Sequence, residues 1–446
     1  MDHRNLAEDL LRSARQAGAS DADVVIAAGT DFSVTVRRGE VEKLTDAGSK
    51  ALGLRVFVGR RTAISYTSDL SKAALDALVR DTVTMARATG EDDAAGLPDE
   101  TEPAEEIDLQ IHDPSPLALP TGERIAWARR AEAAALSASP EIANSEGGSF
   151  SCGEDTVVLA NTRGFLGSYR SSTVSASVVP VAERDGHKER DYWYTSGRGL
   201  SDLLTPEEVG RIAAERTLRR LGARKVATAE LPVVFDPETA ADLLGHVFGA
   251  LSGYAVYRGA TFLKGRLGEA VASPLVTVVD DGRRVRGLGS RPFDGEGLRT
   301  RRNVPIENGV LRSFLCDAYA ARKIGGRPGG CARRGVAGAP SVGAGNLSFA
   351  PGDRSPGAIV GEVQRGLYVT DLIGFGVNLV SGDYSQGAAG QWIENGRFVH
   401  PVHEVTIAGN LKEMLLAIDA VGDDLVWRGS TASPTLRVAR MTVAGV

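Results

Sequence analysis

The stretch Leu231-Pro232-Val233-Val234-Phe235-Asp236-Pro237-Glu238 is where the chain changes character. Val233-Val234-Phe235 reads as a short apolar strand. Asp236 then offers a side-chain oxygen to cap a helix, Pro237 suits the first helical position and Glu238 stands in the first turn. Ala241, Leu244, Val247 and Leu251 follow at helical spacing, which predicts a helix through Leu251. Downstream, glycine becomes dense and the apolar runs are short and β-rich, at 275–279, 311–315, 366–370 and 402–407. Residues 228–446 are therefore expected to form a mainly β domain, barrel- or sandwich-like, opened by a strand and a helix.

Upstream the pattern is α+β. Leu6, Leu10, Leu11 and Ala14 recur at helical spacing, alternation follows at 23–28, 32–37 and 51–58, and Ser71 can cap a helix over 72–88. Residues 1–90 form one expected unit. Residues 91–120 turn acidic and proline-rich, with Glu91-Asp92-Asp93, Glu105-Glu106 and Pro103, Pro114, Pro116 and Pro120, which reads as a solvated linker. Residues 121–224 read as a second unit. It has a helix over 122–137, strands at 156–160, 165–179 and 188–195, and a capping box at Thr205-Pro206-Glu207-Glu208 that opens another helix to about Leu221. The fold class is thus α+β: two-layer N-terminal units with helices on mainly antiparallel sheets, then the mainly β domain.

The 446 residues exceed the roughly 250–300 at which a single core stops growing, so two or three domains are expected. A hydrophobic content of 42% with 24% charged residues is ordinary for a folded protein. A net charge of −6 with scattered basic residues disfavours nucleic acid as a partner. Apolar runs such as 231–235 and 372–380 fall far short of the roughly 20 residues that span a bilayer. The first residues lack the basic and apolar regions of a secretory leader, so a cytoplasmic protein is expected. Cys152, Cys316 and Cys331 are too dispersed for a disulfide framework or a zinc knuckle, and read as reduced thiols.

Local motifs yield no catalytic centre. There is no His-Glu-x-x-His. His400-Pro401-Val402-His403 has an intervening proline that disfavours a helix, and Glu404 beside it sits in an alternating strand pattern. His246 is a lone histidine inside a predicted helix. No Gly-x-Ser-x-Gly elbow occurs, and Gly374-Phe375-Gly376-Val377-Asn378 lacks the third glycine and the Lys-Ser/Thr ending of a phosphate loop. Nothing in the sequence pairs Cys316 or Cys331 with a base.

A resemblance carries the reading further. Pro232 to Pro237, Leu243-Leu244-Gly245-His246, Gly259-Ala260-Thr261-Phe262-Leu263, Leu267-Gly268-Glu269, Gly374 to Asn378, Ser381-Gly382-Asp383-Tyr384-Ser385, Ile393-Glu394-Asn395-Gly396, Glu404 to Leu411 and Pro434 to Val438 occur in consistent order. These phrases resemble the TldD/PmbA family, particularly its PmbA branch, also called TldE. In that family the catalytic TldD-type subunit holds zinc with two histidines of a His-Glu-x-x-x-His segment and a cysteine near the C-terminus. Laid on this helix without a gap, the segment puts Gly245 and Ala250 at the histidines and His246 at the glutamate. Trp427 to Ser433 offers no cysteine.

The resemblance therefore implies a subunit with no catalytic residue, metal or cofactor of its own, whose TldD-type partner carries the zinc. It implies a heterodimer, or a homodimer in the partner's absence, that processes peptides or unfolded segments in the cytoplasm. Arg258, Thr261, Asp383, Tyr384 and Ser385 sit in the segments that carry the resemblance and are candidates to line the cleft, although the same residues suit turns and packing equally. Two other functions stay open: a homodimeric scaffold that binds a peptide or biosynthetic intermediate without hydrolysis, and a metal-independent enzyme working through His246 or a cysteine.

Overall fold

The computed structural model describes residues 2–100 and 107–445. The N-terminal half contains α1 (His3–Gln16), β1 (Asp21–Arg37), β2 (Glu40–Val58), β3 (Arg61–Thr67), α2 (Lys72–Ala88), α3 (Thr121–Ser137), β4 (Ile142–Asn161), β5 (Leu166–Arg184), β6 (His187–Arg190), β7 (Trp193–Gly197) and α4 (Pro206–Leu218). Its strands make one antiparallel sheet in the order β3-β2-β1-β4-β5-β6, with β7 also paired to β5. The sequence suggested a sheet beside the helices of each unit. Instead β1 pairs with β4 from Asp23↔Asn161 to Val36↔Gly148, so one sheet serves both.

Side chains alternate across a strand, and that alternation joins the layers. Val24 and Ile26 of β1 pack with Leu10 and Leu11 of α1 and Leu75, Val79 and Val83 of α2. Val25 between them faces the other way and meets Leu159, Phe165 and Phe293, the last from the C-terminal half. Farther along the sheet, Ala131 and Ala135 of α3 pack with Val178 of β5 and with Val209 and Ala213 of α4. The box at Thr205 forms as predicted: Thr205 accepts from the Glu208 amide while the Glu208 carboxylate accepts from the Thr205 amide.

The reading of 91–120 as a solvated linker needs correction on both flanks. Ala94, Ala95 and Leu97 are buried, the last two against Phe57, and Leu109 and Ile111 are buried as well. The Ile111 carbonyl accepts from the Ser172 amide, and the Leu109 carbonyl accepts from the Arg286 amide. The charges hid these anchors because each packs on residues distant in sequence. Asp92 itself accepts from Lys323 Nζ at 2.7 Å. Pro103 and Glu105-Glu106 lie outside the described residues.

In the C-terminal half, β8 (Ala229–Phe235), β9 (Arg365–Val377), β10 (Asp383–Glu394), β11 (Arg397–Asn410) and β12 (Leu436–Ala444) pair in that order. β12 pairs with both β11 and β8, which closes a five-stranded barrel. The β8–β9 pairing is parallel, and the others are antiparallel. Val233, Phe235, Leu367, Val369, Ile407, Leu436 and Val438 fill its core, each side chain contributing about 1.5–3 kcal/mol on burial. A second sheet takes the order 310–311, 302–307, 278–281, 347–349, 431–433, 426–428. The expected strand at 311–315 shortens to Val310–Leu311, because the Arg312 and Ser313 amides both turn to the Pro305 carbonyl.

Candidate functional site

The helix α5 (Pro237–Leu251) runs from β8 as the sequence indicated, with Asp236 Oδ1 accepting from the Thr239 amide at 2.8 Å. Burial pushes the Asp236 carboxyl up to about 6, against the pull of the Thr239 hydrogen bonds and Arg216. Leu243, Leu244, Val247, Ala250 and Leu251 lie in the core. The remaining face carries Glu238, Asp242 and His246 at successive four-residue steps, which places them in one row.

Gly245 is exposed, and a Cβ there would meet nothing within 4 Å. Ala250 is fully buried, and its carbonyl accepts from Thr261 Oγ1 at 2.8 Å. Neither side chain carries a donor atom, so these positions do not fit a zinc ion. His246 is half-buried, and burial pulls its imidazole below the ordinary histidine value, towards the neutral form. Its ring stands edge-on to Tyr384 with centroids 6.1 Å apart. Tyr384 is 1% exposed, and its hydroxyl has no hydrogen-bond partner among the described residues. Burial raises the pKa of the Tyr384 phenol, and nearby Asp242 raises it further.

The loop between β9 and β10 seats on the end of this helix. A Cβ on Gly249 would come within 3.0 Å of Leu379, and the Leu379 carbonyl accepts from the Phe262 amide at 2.8 Å. Thr261 is bonded to the C-terminal end of α5 and Tyr384 reaches His246 farther back along the helix, while Asp383 and Ser385 flank Tyr384 on β10. Tyr384 points inward while Asp383 and Ser385 are exposed, and Asp383 Oδ2 accepts from Ser381 Oγ at 2.6 Å. Arg258 stands elsewhere. It ends the short helix α6 (Gly253–Arg258), lies over the Tyr254 ring at 5.9 Å, and lines a cavity of about 300 Å³ with Glu296, Asp317 and Tyr319.

The segment Trp427 to Ser433 does reach α5, because its strand Thr431–Ser433 packs on the helix. Arg428 fills this junction: Nη2 donates to Glu238 Oε1 at 2.9 Å, and the guanidinium lies 4.0 Å from the Trp193 ring centroid and 4.2 Å from that of Tyr194. Asp242 and Arg428 were missed in the sequence. The four-residue step to His246 could have signalled Asp242, whereas Arg428 meets partners about 190 and 235 positions away.

The other candidates separate. His400 stacks on Trp392, and His403 lies 3.6 Å from Glu189. Among the described residues no three or more His, Cys, Asp or Glu stand together so as to hold a metal. All three cysteines are buried, which raises every thiol and pushes Cys316 up to about 12. Such thiols keep their protons and are poor nucleophiles.

Family profiles match along the whole chain: PmbA/TldA metallopeptidase domain 1 at residues 22–86, the central domain at 114–221 and the C-terminal domain at 228–445. Metalloprotease PmbA of Escherichia coli O157:H7 is 40% identical over 450 residues, covering 99% of this chain and 97% of that protein. A metalloprotease PmbA homolog of Haemophilus influenzae is 35% identical over 437 residues, with 97% and 94% covered. Among solved structures, a candidate modulator of DNA gyrase from Bacteroides thetaiotaomicron superposes with a TM-score of 0.92 at 28% identity, covering 100% of both chains. TldE from Thermococcus kodakarensis shares the fold, with a TM-score of 0.86 at 21% identity over 99% of this chain and 100% of its own. Matched in all three domains and over nearly its full length, the chain belongs to the PmbA/TldD metallopeptidase family, in its PmbA (TldE) branch.

Proposed function

We propose that this chain is the non-catalytic subunit of a heteromeric zinc peptidase, forming one wall of a cleft in which a TldD-type partner supplies zinc, water and general base. One observation carries the reading. The helix α5 keeps its cap, its core face and its contact with 431–433, yet presents glycine and alanine where the family's catalytic subunit presents histidines. Substrates in this reading are peptides or unfolded segments in the cytoplasm. Among the described residues no helix is long and apolar enough to cross a membrane.

The test is direct. The purified chain is assayed for zinc by elemental analysis and for cleavage of an unfolded peptide, alone and with a TldD-type protein added. The expected result is no stoichiometric zinc, no cleavage alone, and cleavage once the partner is present. Stoichiometric zinc with activity in the chain alone sinks the proposal. A stable homodimer that ignores the partner in size measurement points to the scaffold reading instead. The protonated thiols argue against cysteine chemistry in an isolated chain.

A further inference from the structure

A cavity of about 610 Å³ opens between α6, the turn at 264–267 and the segments at 312–316 and 323–327. Val256, Leu267, Phe314 and Ile324 give it an apolar lining, with the buried Cys316 also in its wall. Its charged lining residues are Lys264, Arg312, Lys323 and Arg327, all cations, and no carboxylate lines it. In a chain of net charge −6 that is a marked local reversal. Arg312 is paired with Glu307 and Lys323 with Asp92. Lys264 and Arg327 are exposed, and among the described residues neither side chain has a hydrogen bond or ion pair.

Apolar walls with unspent cations match a ligand that has an apolar body and one anionic end. We propose that this cavity receives the C-terminal residue of a peptide, with its large apolar side chain against Phe314, Leu267 and Val256 and its free carboxylate against Lys264 and Arg327. This inference rests on the reading that the protein handles peptides. Three features favour a peptide end over a purely apolar guest. The carboxylate explains cations that the chain itself leaves unpaired. The volume lies in the range of pockets that enclose small organic ligands, enough for one or two residues but not a folded partner. The mouth also lies close in sequence to Phe262, whose amide donates to the Leu379 carbonyl in the loop just before the strand that bears Tyr384. A cationic clamp for a terminal carboxylate would fix the polarity in which a peptide enters the cleft.

The test uses the full chain alone, needing neither partner nor zinc. Binding of a fluorescein-labelled octapeptide ending in phenylalanine is followed by anisotropy, as the free acid and as the C-terminal amide. The free acid is expected to bind at least tenfold more tightly, with an affinity that weakens as salt is raised, since the cations are solvent-screened. Lys264→Gln with Arg327→Gln should abolish the preference for the acid, and Leu267→Glu, at an exposed rim position, should weaken the free acid about tenfold. Equal binding of acid and amide, insensitive to these substitutions, overturns the cavity assignment while leaving peptide handling intact. Octanoate, which offers a carboxylate without the aromatic side chain or the preceding residue, is expected to compete at least tenfold more weakly than the free acid. Octanoate binding in place of a silent peptide overturns the assignment in favour of a fatty acid. No binding of the free acid at millimolar concentration also overturns it, and the cleavage assay with partner then decides the broader reading separately.

Discussion

The carboxylate of Asp23 on β1 and the guanidinium of Arg334 in the C-terminal half meet at 2.5 Å with side chains 2% and 1% exposed. Arg55 of β2 donates to the same carboxylate from the other side. Burial alone would raise the Asp23 pKa, but Arg334 and then Arg55 outweigh it and hold the carboxyl below its ordinary value. Removing one member of a buried pair strands the rest, so Asp23→Ala should destabilise by about 3–5 kcal/mol, read from the urea midpoint. A depressed carboxyl stabilises above its unfolded value and loses that contribution as pH falls through the folded one, so acid unfolding of the wild type should steepen below the ordinary aspartate range. A shift under 1 kcal/mol would show that the junction is dispensable.

Glu296 works in the opposite sense. It is 4% exposed, and burial together with neighbouring Asp294 raises its pKa above the ordinary glutamate value. A raised carboxyl stabilises fully below its unfolded value and loses that contribution as pH rises through its folded one. Stability should therefore decline as pH climbs from the ordinary glutamate range through neutrality. Glu296→Gln keeps an acceptor for the Ala318 amide, which now bonds Oε2 at 2.7 Å, and should flatten that decline. Denaturant melts of both proteins across pH 4.5 to 8.5 check it, and parallel curves would rule it out.

The orphan hydroxyl of Tyr384 sets up a third expectation. A buried hydroxyl without a partner is a cost to the fold, so Tyr384→Phe should be neutral or stabilise by up to about 1 kcal/mol. Thermal unfolding decides the matter. A loss of more than 1 kcal/mol would mean that the hydroxyl is bonded in solution.

Phe375 in β9 is fully exposed, with Ile373 at 64% and Val380 at 57%. Exposed apolar side chains concentrated in one segment in this way mark interaction sites. Ile373→Ser with Phe375→Ser should leave stability within about 0.5 kcal/mol, because exposed side chains contribute little. Under the proposed pairing, the same change should weaken association with a TldD-type partner at least tenfold in sedimentation. Unchanged association would place the contact elsewhere.

Local grammar was legible where neighbours in sequence are neighbours in space. The caps at Ser71, Thr205 and Asp236 each accept the amide hydrogen bond that their residue type suggests. The helical spacing after Asp236 likewise puts Gly245, His246 and Ala250 on one helix, as the structure does. Hidden from the sequence was whatever depends on distant pairing. Val25 opposite Leu159 merges the two N-terminal units into one sheet, and Leu97 and Ile111 bury themselves inside what reads as an acidic connector. Arg258 and Thr261 are three residues apart, yet one faces a cavity and the other locks onto the Ala250 carbonyl. Sequence proximity to a motif could not tell them apart.

The strand β1 lies between β2 and β4, and its second partner is not complete until residue 161 has been made. During synthesis, the first ninety residues can form the hairpin with β2 but must carry a long open edge, rich in buried-type side chains, until β4 arrives. The nascent chain thus passes through a stage in which a long unpaired strand edge waits on translation. Chain elongation sets the pace of that vulnerability. Slowing synthesis between residues 91 and 161 should raise the yield of misassembled protein without altering a single native contact.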